Sequence, residues 1–207
     1  MVTISRNLKR LVYLISPNKI YPNFYIDLNK VLASKKVFFF QLRLKKNTPN
    51  EVITIAKKIK YITQKHNVKL IINDNSLIAK KVNADGCHLG QKDDSIKLAR
   101  KNIKKKIIGV TCHGSKKLTL LAYKSECDYI ALGSFFKSKL KPKTKKADLK
   151  ILLWAKKNIK KPIVVIGGIT DKNYKKLINY GANYIAISTF IWNNPFLKPE
   201  IAIKKFI

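Results

Sequence analysis

Arg43 and Lys45 stand two residues apart in the segment Gln41-Leu42-Arg43-Leu44-Lys45, which continues an apolar run. On an extended chain, residues two apart share a face, so both cations address one point. An arginine fork and a lysine point charge together suit a phosphate; a surface ion pair is the plain alternative. Asp74 and Asp93 are two of only eleven acidic residues, and each falls just past an apolar run. Neighbouring carboxylates of this kind can share Mg2+, which takes few protein ligands and fills its shell with substrate phosphates. The alternative is helix N-capping, with Asp94 competing for Asp93's part. Gly167-Gly168 and Ser188-Thr189 end two further runs, where exposed backbone N–H groups form a phosphate cradle or merely a turn. Of the three histidines, His66 is expected to close a helix in solvent, His88 to be packed or structural, and His113 to be either. No Ser/His/Asp set and no His/Cys cluster is evident. Cys87, Cys112 and Cys127 lack C-x-x-C spacing and read as buried free thiols of a reducing compartment.

These residues need elements to hold them. Val12–Ile15, Val37–Leu42, Lys69–Ile72, Gly86–Leu89, Ile107–Val110, Tyr129–Leu132, Ile163–Ile166 and Tyr184–Ile187 are short, apolar at nearly every position and rich in Val, Ile, Phe and Tyr. Strands buried on both faces look like this, which predicts a parallel sheet covered by helices. Glu51–Lys65 carries Val52, Ile55, Ala56, Ile59 and Ile62 on one face and lysines opposite. Ser95–Lys101, Lys117–Lys124, Asp148–Lys157, Asn173–Asn179 and a last helix from about Pro199 to Phe206 follow the same logic. Asp148 and Asp171 stand at expected N-caps. Eight strand–helix units in 207 residues fit a small (β/α)8 TIM barrel spanning residues 1–207 as one domain, with a doubly wound open sheet as the alternative. In a barrel the chemistry lies at the C-terminal strand ends, and there the polar residues cluster. The longest irregular stretch, Ser134–Ala147, exceeds a simple βα turn, and loops of that length are usually functional or disordered.

Charge and length limit the rest. The chain carries 44 Lys+Arg against 11 Asp+Glu, a formal charge of +33. Arg6, Arg10, Arg43 and Arg100 are its four arginines, so lysine dominates; with abundant Ile and Asn, this is the signature of AT-rich coding drift. A positive field that gathers an anionic partner, a phosphorylated small molecule or a nucleic acid, is the functional alternative. Lysines scattered through every segment weaken the nucleic-acid reading. No apolar run approaches the roughly 18 residues of a membrane span, and the opening Met1–Pro17 lacks a secretory h-region. A cytoplasmic protein is expected.

Gln41-Leu42-Arg43-Leu44-Lys45, then Ile72-Asn73-Asp74, then Asp85-Gly86-Cys87-His88-Leu89-Gly90-Gln91-Lys92-Asp93, then Ile166-Gly167-Gly168-Ile169 resemble the thiamine-phosphate synthase family. The order and spacing hold from Leu11 to Thr189. Any one motif is weak; the set is specific. The resemblance implies a (β/α)8 barrel that joins a hydroxymethylpyrimidine diphosphate to a hydroxyethyl-methylthiazole phosphate, giving thiamine phosphate and pyrophosphate, with pyrophosphate leaving first under Mg2+. It implies that Gln41, Leu42, Arg43, Leu44, Lys45, Asn73, Thr111 and Lys141 hold the pyrimidine diphosphate, with Arg43, Lys45 and Lys141 catalytic. Asp74 and Asp93 would hold Mg2+, and Ser138, Lys139, Leu140, Gly168, Ser188 and Thr189 the thiazole phosphate. The loop Lys137-Ser138-Lys139-Leu140-Lys141 departs from the family's Pro-Thr-x-Thr-Lys, losing one hydroxyl at Leu140. Partners would be small phosphorylated substrates, with neither nucleic acid nor membrane; the oligomeric state is not legible. A thiazole tautomerase and an inactive barrel binding nucleic acid are the alternatives.

Overall fold

The computed structural model describes residues 10–136 and 146–206. Eight parallel strands close into a barrel in chain order: β1 (Val12–Ile15), β2 (Val37–Leu42), β3 (Lys69–Asn73), β4 (Gly86–Leu89), β5 (Ile107–His113), β6 (Tyr129–Gly133), β7 (Ile163–Ile166) and β8 (Tyr184–Ile187). The helices are α1 (Phe24–Ala33), α2 (Pro49–Lys65), α3 (Ser76–Lys81), α4 (Ile96–Ile103), α5 (Lys116–Tyr123), α6 (Leu149–Asn158), α7 (Tyr174–Asn179), α8 (Thr189–Trp192) and α9 (Pro199–Ala202). The (β/α)8 architecture is therefore present, and closure of β8 onto β1 excludes the open sheet.

The strands alternate sides. Val12 and Leu14 face the helices, whereas Tyr13 and Ile15 join Phe39, Ile71, Ile107, Tyr129, Val164 and Tyr184 inside the barrel. Both faces are apolar, so the strands carry no polar alternation. Gly109 on β5 makes room for this interior: a Cβ there would stand 1.8 Å from Cζ of Tyr129. The outer shell packs Leu14, Phe40, Leu42 and Leu70 against helix residues such as Phe24, Leu28, Ala56 and Ile59.

Several boundaries differ from expectation. β3 runs one residue further, to Asn73, and β6 to Gly133, while β5 continues to His113 through a register shift after Thr111. The last helix is one α-turn followed by a 3-10 segment, Ile203–Lys205. Asp148 does cap α6, accepting from the Lys150 amide at 2.8 Å. Asp171 caps nothing: Asn173 occupies the N-cap of α7, and its side chain instead binds the Thr170 amide and the Gly168 carbonyl. His66 is not free in solvent; it ends α2 half-buried, with Nε2 2.9 Å from Oδ1 of Asn29 on α1. Among the described residues no helix is long and apolar enough to cross a membrane.

Candidate active site

The inward rows of the strands run on past the barrel's apolar interior and change chemistry at its C-terminal mouth. Phe39 is followed two residues on by Gln41, then Arg43, then Lys45; Ile71 by Asn73; Ile107 by Gly109 and Thr111; Tyr184 by Ala186 and Ser188. The two-residue period places these side chains on one face per strand. It also sends Leu42 and Leu44 the other way. Both lie in the outer apolar shell, 1% and 7% exposed, so only their backbone can meet a ligand at the mouth.

Arg43 is placed by a backbone clamp. The buried Ser16 hydroxyl accepts from the Arg43 amide at 3.0 Å, and the guanidinium Nη1 reaches Oδ1 of Asn18 at 3.4 Å. Lys45 Nζ lies 3.2 Å from a carboxylate oxygen of Asp74. Gln41 donates its amide N–H to Oδ1 of Asn73 at 3.2 Å across β2 and β3.

Asp74 sits in the left-handed region, φ 66°, a conformation that aspartate tolerates better than most residues. Its amide donates to the His88 carbonyl at 2.7 Å. The turn frees its side chain from capping duty, because Asn75 caps α3 by accepting from the Ile78 amide. Asp93 is likewise no cap: Ser95 caps α4, and Asp93 accepts from the Gly90 amide at 2.7 Å. Asp94, the rival cap, instead binds Ser76 in the first turn of α3. The Asp74 and Asp93 carboxyls are near enough to perturb each other. Burial, then the neighbouring Asp93 carboxyl, raises the Asp74 pKa from its ordinary value, with Lys45 opposing. Two oxygen donors at one point, strained by mutual repulsion, fit a hard divalent cation that completes its shell elsewhere. Among the described residues there is no cluster of three or more His, Cys, Asp or Glu side chains that could hold a metal.

His88 is packed, as expected. Its ring stacks on Tyr129 and makes two hydrogen bonds, Nδ1 to the Tyr129 hydroxyl at 2.9 Å and Nε2 to the Thr111 hydroxyl at 2.8 Å. Burial, with the nearby Arg43 charge adding to it, depresses its pKa to about 4. His113 is exposed at the end of β5. The cysteines are free and buried; burial pushes the Cys87 and Cys112 thiols up to about 12, so neither is a nucleophile.

On the far side of the mouth, Gly167 has φ 106° and a Cβ there would lie 1.9 Å from Oγ of Ser134; only glycine lets the β6 and β7 ends approach. Gly168 follows with φ 61°. Ser188 precedes α8 and donates to the Ser16 carbonyl at 3.0 Å, joining the β8 end to the loop after β1. Ser138, Lys139, Leu140 and Lys141 lie outside the described residues. A larger cleft of about 520 Å3 opens beside the N-terminal end of β7. It is lined by lysine stems and loop residues such as Lys160, Lys161 and Asn183, without a carboxylate or histidine, and offers no comparable chemistry. Sequence reasoning missed Ser16, Asn18, Tyr13 and Tyr129; the period-two row through Tyr13 was the available signal.

The architecture recurs in known proteins. The family model for thiamine monophosphate synthase matches residues 12–191. A thiamine-phosphate synthase from Pelagibacter ubique is 56% identical over 198 residues, 95% of this chain and 96% of that protein. One from Erythrobacter litoralis is 37% identical over 187 residues, 88% of each. The solved structure of thiamine phosphate pyrophosphorylase from Pyrococcus furiosus superposes with a TM-score of 0.85 at 25% identity, covering 96% of this chain and 95% of that one. With the match running from the first strand to the α8 turn, the chain belongs to the thiamine monophosphate synthase family.

Proposed function

We propose that the chain is a thiamine-phosphate synthase, a cytoplasmic transferase that joins hydroxymethylpyrimidine diphosphate to hydroxyethyl-methylthiazole phosphate and releases pyrophosphate. The observation that carries this reading is the pair of neighbouring carboxylates, Asp74 and Asp93, with Lys45 against Asp74, at a mouth where Arg43 is held by Ser16. A reaction in which pyrophosphate departs before the new bond forms needs charge on the leaving oxygens far more than proton abstraction. Bound by Asp74 and Asp93, Mg2+ would supply Lewis-acid stabilisation of that charge.

The chain's own residues divide the remaining work. Arg43 forks onto diphosphate oxygens, held in place by the Ser16 clamp. Lys45 neutralises Asp74 in the free enzyme and can turn to the diphosphate once the carboxylates hold a cation. The Gln41–Asn73 contact uses the Gln41 amino group and the Asn73 carbonyl, which leaves one acceptor and one donor, a pair that matches the donor and acceptor edge of an aminopyrimidine. Thr111 offers a hydroxyl to the same substrate, and Lys141 a further cation. Gly168, Ser188 and Thr189 present backbone amides to the thiazole phosphate, with Ser138, Lys139 and Leu140 completing that side.

The test is direct: incubate the purified protein with both precursors and Mg2+ and assay thiamine phosphate and pyrophosphate. Formation of both in equal amounts is expected. Isomerisation of the thiazole without coupling would replace the reading by a tautomerase, and absence of turnover with salt-sensitive nucleic-acid binding would replace it by a binding protein.

A further inference from the structure

Inside the barrel, directly beneath the mouth, four polar groups form a line. The Tyr13 hydroxyl lies 2.8 Å from that of Tyr129, the Tyr129 hydroxyl 2.9 Å from Nδ1 of His88, and Nε2 of His88 2.8 Å from Oγ1 of Thr111. Tyr13 and Tyr129 are 2% and 0% exposed, among Phe39, Ile71 and Tyr184. Thr111 stands half-buried at the outer end of β5, with its carbonyl held by the Gln91 amide at 2.5 Å. Polar atoms in so apolar a layer are expensive unless each is paired.

The hydrogens of this line can be counted. Each hydroxyl carries one, and the neutral imidazole carries one on either nitrogen. Neither hydrogen-bond partner of the ring is a carboxylate, so burial keeps it neutral. Four hydrogens therefore serve three contacts, and one hydrogen must point out of an end. If the line ran from Thr111 inward, the surplus hydrogen would be that of Tyr13. Among the described residues Tyr13 has no hydrogen-bond partner besides Tyr129, so that donor would be buried without an acceptor, a rare and costly state. Run the other way, Tyr13 donates to Tyr129, Tyr129 to Nδ1, and Nε2–H to the Thr111 oxygen. The surplus hydrogen is then that of Thr111, at the mouth.

We infer that Tyr13, Tyr129 and His88 are positioning residues that fix His88 as the Nε2–H tautomer and turn the Thr111 hydroxyl outward as an obligate donor to an anionic oxygen of the bound diphosphate. Polar residues of the barrel interior thus set the hydrogen-bond sense of a group in the active site. Assigning the acceptor to the diphosphate rests on the synthase reading; the tautomer does not.

Two measurements separate these. The side-chain 15N shifts of His88, assigned by comparison with His66→Gln and His113→Gln proteins, report which nitrogen bears the proton. A protonated Nε2 and an unprotonated Nδ1 are expected in the wild type. Tyr129→Phe, which keeps the ring over Gly109, should give a mixed tautomer. A wild-type ring protonated at Nδ1 overturns the inference, whatever reaction the protein catalyses. The second measurement is the affinity for pyrophosphate with Mg2+ by calorimetry, which needs no turnover. Tyr129→Phe should weaken it about three- to tenfold, less than the whole of one hydrogen bond to a charged oxygen because a mixed tautomer keeps part of the donation. In a Thr111→Val background the same change should cost nothing further, while Thr111→Ser should retain the wild-type affinity. An equal loss in the Thr111→Val background would show that Tyr129 does not act through Thr111.

Discussion

Arg43 and the Asp74–Asp93 pair make opposite demands on substitution. Arg43 contributes shape as well as charge, and its backbone is fixed by Ser16 on the neighbouring strand end. Arg43→Lys keeps the charge and loses the fork. The expected outcome is a fall in kcat/KM for the pyrimidine diphosphate of about ten- to a hundredfold, with little change in KM for the thiazole phosphate; an unaltered kcat/KM would place Arg43 outside the site. For the carboxylates charge matters most. Asp93→Asn keeps an oxygen for the Gly90 amide and removes the negative charge, so loop geometry survives while cation binding does not. Turnover should fall about a hundredfold or more, with a raised Mg2+ requirement. Full activity in excess EDTA would remove the metal assignment.

At the scale of elements, legibility followed the period of two. The rows Phe39-Gln41-Arg43-Lys45 and Ile107-Gly109-Thr111 could be read from sequence because inward positions keep their parity from core to mouth, and the same parity placed Leu42 and Leu44 outside. Capping was less legible, since Asp, Asn and Ser compete for one role: Asn173 took the N-cap position expected of Asp171, and Asn75 and Ser95 took the caps that were the alternative role of Asp74 and Asp93. Parity can place a residue inside the barrel, but which residue it meets on a distant strand leaves no local signal. Tyr13 and Tyr129 lie 116 residues apart, and nothing near either announces the other. The same is true of Arg100, which reads as one more cation on α4. It binds Asp128 at 2.9 Å and the Lys106 carbonyl at 2.7 Å, and also the carbonyls of Lys104 and Glu126. Asp128 is 1% exposed at its side chain and also accepts from the Ile108 amide of β5. Removing one partner strands the other's charge, so Asp128→Ala should lower unfolding free energy by about 3–5 kcal/mol. Urea titration at constant m value checks this; a change within about 0.5 kcal/mol would show that the pair is replaceable.

Across the whole molecule the charge of +33 sets the field in which the site operates. Among the described residues there are four ion pairs, far too few to balance the lysines. Most cations therefore repel one another across the surface, which opposes the compact state and draws anions toward it. Salt should act on these two consequences in opposite senses. Raising NaCl from about 0.05 to about 0.5 M shortens the screening length from roughly 14 Å to a few ångströms. Screening relieves repulsion, so Tm should rise with salt. Screening also weakens capture of phosphorylated substrates, so KM for both should rise over the same range while kcat, set by contacts inside the mouth, changes little. If lysine content is compositional drift without a role in capture, Tm will climb and KM will stay flat. A rise in both assigns the surface a part in gathering substrate. A further arm distinguishes nucleic-acid binding: a gel shift whose log affinity falls steeply with log salt would reveal a footprint of several phosphates, whereas substrate capture by a diffuse field requires no such footprint. The expected combination is a rising Tm, a rising KM, and no discrete nucleic-acid complex at about 0.15 M salt, because the lysines are spread through every segment rather than gathered on one groove or helix.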